Sequence, residues 1–431
     1  MAWEVRTTPV LETSRQQVQL PAWRRIQQSP THHGLASVAD AVREQFRRED
    51  IASRIRPGMR VAVGAGSRGI GCLQEVVRAT VLELRQLGAE PFVVPAMGSH
   101  GGGTAEGQRA VLAAYGITEE GVGAPVRASM ETVELGTVLD GIHIFTDRTA
   151  FTEADAIVPV ARVKPHTDFR YRVESGLHKM LTIGFGKHRG ASNIHTYPLE
   201  RFGEIIEAAG QFILTKVNVP FGIAIVEDAY EQPGIVEAVP GDHFDVREAE
   251  LLETAKSWLA RLPFSEADVL IVQELGKDVS GAGMDPNVTG RFADPGIESS
   301  FRAQWLLFLD LTADTHGNAA GLGFADVTTR RAAEKIDVAA TYMNQVTSQI
   351  LQGAKLPLVA ESDQEAVAIA CSALRRRPPE QARIAWIKNT LELLELHVSE
   401  PLWQDIAARE DVRALGEPEP IRFDGTGSLL V

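Results

Sequence analysis

Cysteine is almost missing from this chain: Cys72 and Cys371 are the only two in 431 residues. Two thiols so far apart exclude a disulfide scaffold and any CxxC-type metal or redox module. Aromatic residues are sparse, at 6%. No uninterrupted apolar run approaches the roughly 18 residues that a membrane span needs. Positive charge is in deficit, with 43 Lys and Arg against 57 Asp and Glu and a net charge of −14. So acidic a chain is a poor general binder of nucleic acid or of an anionic membrane, and neither partner is expected. The start, MAWEVRTTPV, has no apolar segment after a charged beginning, and Arg24-Arg25 run into polar IQQSPTHH, so no export signal is read. What is present is ordinary: 44% hydrophobic and 23% charged residues, the balance of soluble globular proteins. At about 150 residues per domain, two or three domains fit the length. The expectation is a cytoplasmic, soluble, multi-domain protein.

Residues 1–35 are polar and irregular and read as an arm. Val38–Phe46 has a helical pattern. Pro57-Gly58 then turns into the apolar run MRVAVGAG, a helical stretch follows from about Gly71 to Leu87, and a second apolar run, PFVVPAMG, comes next. This strand, glycine turn, helix, strand order predicts a parallel sheet covered by helices. It continues through a helix near Ala105–Tyr115, a strand around His143–Phe145, a buried strand in ADAIVPVARVKPH, strand-like Phe221–Val226 and helical Val246–Leu259. At Pro263 the pattern restarts with ADVLIVQELG. Glycine-rich SGAGMDPNVTG, the run QWLLFLDL and the loop TADTHGNAAGLG follow, then helical RRAAEKIDVAATYMNQVTSQIL and short strands near Leu358 and Ile384–Lys388. The expected architecture is therefore an α/β two-domain protein. It has an N-terminal arm (1–35), an N-terminal cofactor-binding α/β domain (36–264) and a C-terminal α/β domain (265–431). Each domain is a mostly parallel sheet covered by helices, with the active site in the interdomain cleft.

Three motifs carry chemistry. Gly64-Ala-Gly66-Ser-Arg-Gly69 is a GxGxxG between strand and helix, the context of a dinucleotide fingerprint. The next strand, however, ends at Met97 without the acid that holds a ribose hydroxyl. A plain tight turn, and a phosphate or carboxylate site using the loop amides with Arg68, stay open beside it. His100-Gly-Gly-Gly103 resembles the oxyanion loop of hydrolases, but the GxSxG elbow these need is absent from the chain. The third is a cluster. The 34 residues from Arg162 to His195 hold four of the eleven histidines (His166, His178, His188, His195), where about one is expected. The same window has seven Lys and Arg against Asp168 and Glu174. Such a strip on an acidic protein points to an anion, or else to pairing with acids from elsewhere. His100, His166 and His195 could also form a zinc site, although no HExxH or carboxylate-rich set accompanies them.

In this order the residues resemble the nickel-dependent lactate racemase family of 2-hydroxyacid racemases and epimerases. The matching parts are Ser67-Arg68, Gly98-Ser-His100-Gly-Gly, Lys164-Pro-His166, Ser175-Gly-Leu-His-Lys179, His195, Asp285-Pro-Asn287 and Asp314-Thr-His316-Gly-Asn318. They span roughly residues 55 to 350. The resemblance implies a nickel-pincer nucleotide, a pyridinium-3-thioamide-5-thiocarboxylate mononucleotide bound covalently to Lys179, with His195 completing a square-planar nickel. It implies His100 and His166 as the acid/base pair and Arg68 as the substrate carboxylate ligand. Gly66 and Ser67 would lie against the cofactor. The implied reaction is reversible hydride transfer from the substrate alpha carbon through a 2-keto acid. Separate enzymes would make the nucleotide and insert the nickel.

Physical chemistry is consistent with that assignment. Square-planar sulfur and nitrogen coordination suits nickel, and a cofactor bringing its own sulfurs suits a chain without a cysteine cluster. The C–H bond of a hydroxylated carbon is weakly acidic, which favours hydride over proton removal. Reaction of either enantiomer needs one base on each side, and two histidines fit. The chain departs from the lactate enzyme in having His178 before its lysine and a longer stretch from His166 to Lys179. The lysine and glutamine that contact lactate are unmatched; Asn287, Thr289 and Arg291 occupy that neighbourhood, and Asn287 and Arg291 are taken as substrate ligands. A 2-hydroxy acid other than lactate, larger or with a second polar group, is expected. The alternatives are an NAD-dependent 2-hydroxyacid oxidoreductase using the Gly64–Gly69 loop and a non-catalytic binder of an anionic nucleotide. The oligomeric state is left open, a homo-oligomer included.

Overall fold

A computed structural model of the protein describes residues 18–67, 70–375 and 377–431. Strands follow in the order β1 (Ala22–Gln28), β2 (Arg60–Ala65), β3 (Glu90–Pro95), β4 (Thr132–Val138), β5 (Ile142–Asp147), β6 (Ala156–Arg162), β7 (Phe221–Glu227) and β8 (Pro233–Pro240). After them come β9 (Glu266–Leu275), β10 (Arg302–Leu311), β11 (Val327–Thr329), β12 (Leu358–Ala360), β13 (Ile384–Ile387), β14 (Glu395–Ser399), β15 (Val412–Ala414) and β16 (Glu419–Pro420). The chain divides into two compact units, one of residues 31–259 and one that joins residues 18–30 to 260–431.

In the first unit the sheet runs β3-β2-β6-β7-β8. The first four strands are parallel and β8 returns antiparallel to β7. Strands covered on both faces read as continuous apolar runs rather than alternating ones, and β7 (FGIAIVE) is buried along its whole length. Val61, Val63 and Ala65 of β2 face a core shared with the helices Val38–Arg47 and Leu73–Gln86. Ala62 faces the opposite core, which includes Leu177, Leu181 and the helices Phe202–Lys216 and Phe244–Trp258. β4 and β5 form a separate antiparallel hairpin. From β2 the chain passes to β3 on one side, while β6 pairs with β2 on the other. The order therefore reverses between β2 and β6, and the crevice outside their carboxyl ends is where open α/β sheets place ligands.

The second unit has the sheet order β12-β11-β10-β9-β13-β14-β1-β15, with β16 also paired to β1. β9 to β13 are parallel neighbours, whereas β14, β1 and β15 alternate antiparallel. Both sheets are thus parallel-dominated and helix-covered, as the sequence pattern predicts. Two expectations are corrected. Ala22–Gln28 is not irregular: it is β1, hydrogen-bonded on both edges within the C-terminal sheet. Its Arg24 lies 2.6 Å from Glu400 and its Arg25 pairs with Glu395, so a strand of polar composition is held by cross-strand charge and by buried Trp23 and Ile26. The long helical run from Arg330 breaks into Arg330–Glu334 and Val338–Ser348, because the Asp337 side chain caps the second helix by accepting from the Ala340 N–H. Among the described residues no helix is long and apolar enough to cross a membrane.

Candidate active site

Three loops leave the carboxyl ends of β2, β3 and β6. The β6 loop is closed on itself, since Lys164 and Ser175 exchange main-chain hydrogen bonds of 3.0 and 3.2 Å. Buried Glu174 organises its interior. It accepts from the His166 N–H at 2.7 Å and the Tyr171 N–H at 3.4 Å, and lies 3.1 Å from Lys256 Nζ. Arg170 donates to the His166 carbonyl at 2.5 Å, and Phe169 stacks on the imidazole with centroids 4.2 Å apart. The Asp168 N–H donates to His166 Nδ1 at 3.0 Å. A neutral His166 therefore carries its proton on Nε2.

Past this loop, the helical turn Leu177–Lys179 passes directly into a π-turn, Met180–Gly184, a geometry frequent at functional sites. Lys179 sits at the junction with Nζ 3.4 Å from Ser175 Oγ. Burial and then the Lys164 ammonium pull its pKa down to about 8, against the opposing pull of Asp168 and Glu174. The segment lies against the other two loops: a Cβ on Gly66 would stand 3.2 Å from Met180 Cε, and the Gly98 N–H donates to the Gly184 carbonyl at 3.1 Å. His195 closes the helix Lys187–Ile194. Its ring meets Phe202 edge-on at 5.2 Å, and its Nδ1 is buried without a hydrogen-bond partner. Burial first and Lys179 second hold its pKa below the usual histidine range. His166 is held well below that range by burial and then by Lys179, Lys164, His195 and Arg170. His166 therefore feels the charge of both Lys179 and His195, and His195 that of Lys179. At the β2 loop, Ser67 Oγ shares a hydrogen bond with His100 Nδ1.

The residues singled out by sequence thus fall into two linked groups, Ser67 with His100 and Lys179 with His166 and His195. Arg68 lies outside the described residues. Asn287 and Arg291 belong to the C-terminal unit, where both have local partners. Asp285 accepts from the Asn287 N–H at 2.9 Å and from its amide at 2.7 Å. The Arg291 guanidinium is 2.7 Å from Asp326 and donates to the Ala303 and Gln304 carbonyls at 3.3 Å. The remaining histidines separate clearly. His178 is fully buried with Nδ1 2.6 Å from Glu248, whereas His188 and His316 are exposed.

The basic strip is less bare than the sequence suggests. Arg162 pairs with Glu227 at 2.5 Å, Arg172 with Glu207 and Lys187 with Asp147 at 2.8 Å each. Those acids come from distant segments, so a local charge count misses them. Among the described residues no three His, Cys, Asp or Glu side chains gather as a metal cluster. The first glycine of the GxGxxG has a packing role: a Cβ on Gly64 would stand 2.3 Å from the buried Phe185 ring. Sequence reasoning passed over Glu174 as an organiser and Gln108 altogether.

No protein-family profile and no curated protein matches the chain. Solved structures do. The lactate racemase apoprotein from Thermoanaerobacterium thermosaccharolyticum superposes with a TM-score of 0.52 at 14% identity, over 89% of this chain and 95% of that one. The fold of this chain is similar to that of lactate racemase. A protein from Thermotoga maritima gives a TM-score of 0.50 at 12% identity, covering 83% of this chain and 97% of its own. At such identities the likeness speaks for the fold.

Proposed function

We propose that the protein is an isomerase, a racemase or epimerase of a 2-hydroxy acid that carries a nickel-pincer nucleotide tethered to Lys179. The observation that carries this reading is the grouping of Lys179, His166 and His195 at the carboxyl edge of a sheet whose fold is shared with lactate racemase. The residues present fit the cofactor. An amine with a pKa near 8 has enough free base to attach to it. The unpartnered Nδ1 marks His195 as an imidazole with a nitrogen to spare. Lys179 and His195 would hold it, with Gly66 and Ser67 bordering it. When bound, it supplies the site that takes and returns hydride at the substrate alpha carbon.

The chain's own part is proton handling. The substrate hydroxyl loses its proton as the alpha hydrogen departs and regains it on return, and His100 and His166 carry these transfers from the two sides. Ser67 suits a residue that works in both directions. The hydroxyl can accept from Nδ1–H, which leaves the His100 Nε2 lone pair to take a proton and, in the imidazolium so formed, Nε2–H to give it back. For His166 to take a proton its Nδ1 has to part from the Asp168 N–H, and Arg68 would hold the carboxylate. The dinucleotide reading is disfavoured because Gly64 seats Phe185.

The substrate is expected to be larger than lactate or to bear a second polar group. Loaded protein should racemise or epimerise such an acid in D2O with retention of the alpha hydrogen. His100→Ala and His166→Ala should each lose orders of magnitude in rate while the mass adduct on Lys179 persists. Wash-in of solvent deuterium at the alpha carbon would refute the hydride route, and lactate as the best substrate would refute the substrate class.

A further inference from the structure

We propose that Gln108, held in place by the buried ammonium of Lys187, is a positioning residue that fixes the glycine loop carrying His100. The inference rests on the function proposed above for His100, but its structural half concerns the apoprotein alone. Gly98, Gly101, Gly102 and Gly103 all have φ between +60° and +66°, a region closed in practice to most side chains. A loop built that way has almost no side chains to pin it by packing, so its place depends on bonds to its main chain. Gln108, on the helix Ala105–Ala114 and fully buried, supplies them: its Nε2 donates to the Gly98 carbonyl at 2.8 Å and to the His100 carbonyl at 3.3 Å. Both amide hydrogens are then spent on the loop.

The amide oxygen faces Lys187. That ammonium is fully buried, 2.8 Å from Asp147 Oδ2 and 3.5 Å from Gln108 Oε1, and it donates to the Pro95 carbonyl at the end of β3. The ammonium thus donates to two oxygens, those of Pro95 and Gln108, and pairs by charge with Asp147. Lys187 itself holds φ +55°, uncommon for a residue other than glycine, asparagine or aspartate. An apolar filling of the same volume would avoid desolvating two charges. It could not bond the carbonyls of Pro95, Gly98 and His100. The network therefore ties the end of β3, the glycine loop and the end of the β4–β5 hairpin to one point, and His100 is set against Ser67 from there.

Gln108→Met keeps the side-chain length and removes both donors. Hydrogen exchange of the unloaded protein, read by mass spectrometry, should speed at least ten-fold in peptides covering 97–104 and stay unchanged in those of β2 and β6. In loaded protein the adduct mass and KM should hold while kcat drops at least ten-fold. Unchanged exchange at 97–104 would overturn the proposal, as would an equal rise throughout the unit, which would mean a stabilising role only. Loosening of 97–104 with kcat intact would overturn the link to His100. Because Gln108→Met leaves Lys187 with Asp147 and Pro95, folding is expected to survive; Gln108→Leu serves as the second variant. If the wild type turns over no hydroxy acid while the exchange result holds, the functional reading fails and the anchoring of the loop stands.

Discussion

Burial and the neighbouring Lys164 ammonium bring the Lys179 amine to a pKa of about 8, from an ordinary 10.5. The consequence is chemical and can be measured without any cofactor. At pH 7 a pKa of 8 leaves about 10% of the amine unprotonated, and an ordinary lysine about 0.03%, a difference of ~300-fold in free base. Trace acylation across pH 6 to 11, read peptide by peptide, gives the midpoint for each lysine in the same sample. Steric cover lowers the rate at Lys179 but leaves its midpoint untouched, so the midpoint is the quantity to compare. It should fall near 8, against about 10.4 for a fully solvated lysine. Lys164→Gln removes the like charge while burial stays. The midpoint should then rise by part of the 2.5-unit gap, because burial is the larger cause. A Lys179 that titrates with the surface lysines would refute the electrostatic account of the loop. So would a midpoint that ignores Lys164→Gln.

Other outcomes follow from the same structure. His397, wedged between Trp23 and Trp386 at ring distances of 4.7 and 5.5 Å, is held by burial at a pKa of about 4 against an ordinary 6.5. Its folded value is the lower one, so the unfolded chain binds the extra proton. Stability is full above pH 6.5 and falls towards pH 4 by up to about 3 kcal/mol. Urea unfolding followed by tryptophan fluorescence should show that loss, and His397→Leu should flatten it. Gly64→Ala places a methyl 2.3 Å from the Phe185 ring and should cost about 1–3 kcal/mol by overpacking, with part regained in the double variant with Phe185→Leu. Glu248→Leu strips the buried His178 of partners for its N–H and its Nδ1. It should destabilise by about 1–3 kcal/mol for each group left unpaired, again read by urea. Ser67→Ala should leave the Lys179 adduct intact and reduce kcat in both reaction directions.

The N-terminal sheet was readable because β2, β3, β6 and β7 are short apolar runs entering glycine or polar loops, a pattern that period and punctuation reveal. β1 was not, because AWRRIQQ owes its place to partners Glu395 and Glu400, almost 400 residues away. The helix Phe202–Lys216 also went unread. Its signal was there to read, since buried Ile205, Ile206, Ala209 and Ile213 and polar Glu204, Glu207, Gln211 and Thr215 recur at helical spacing. Within the site, the histidines and Lys179 stood out as local motifs. Gln108 and Glu174 did not, since their importance lies in which main-chain groups they meet, and one glutamine in a helix carries no such signal. The basic strip misled for a related reason: Glu227, Glu207 and Asp147 neutralise it from outside the window.

The central claim is the tether between Lys179 and a nickel-pincer nucleotide. Its most direct test is intact mass and nickel content of protein co-produced with the enzymes that synthesise the nucleotide and insert the metal, beside Lys179→Ala prepared identically. The account predicts a covalent adduct with about one nickel per chain, both absent from Lys179→Ala. Neither adduct nor nickel, in a preparation where a lactate racemase loads normally, would contradict it.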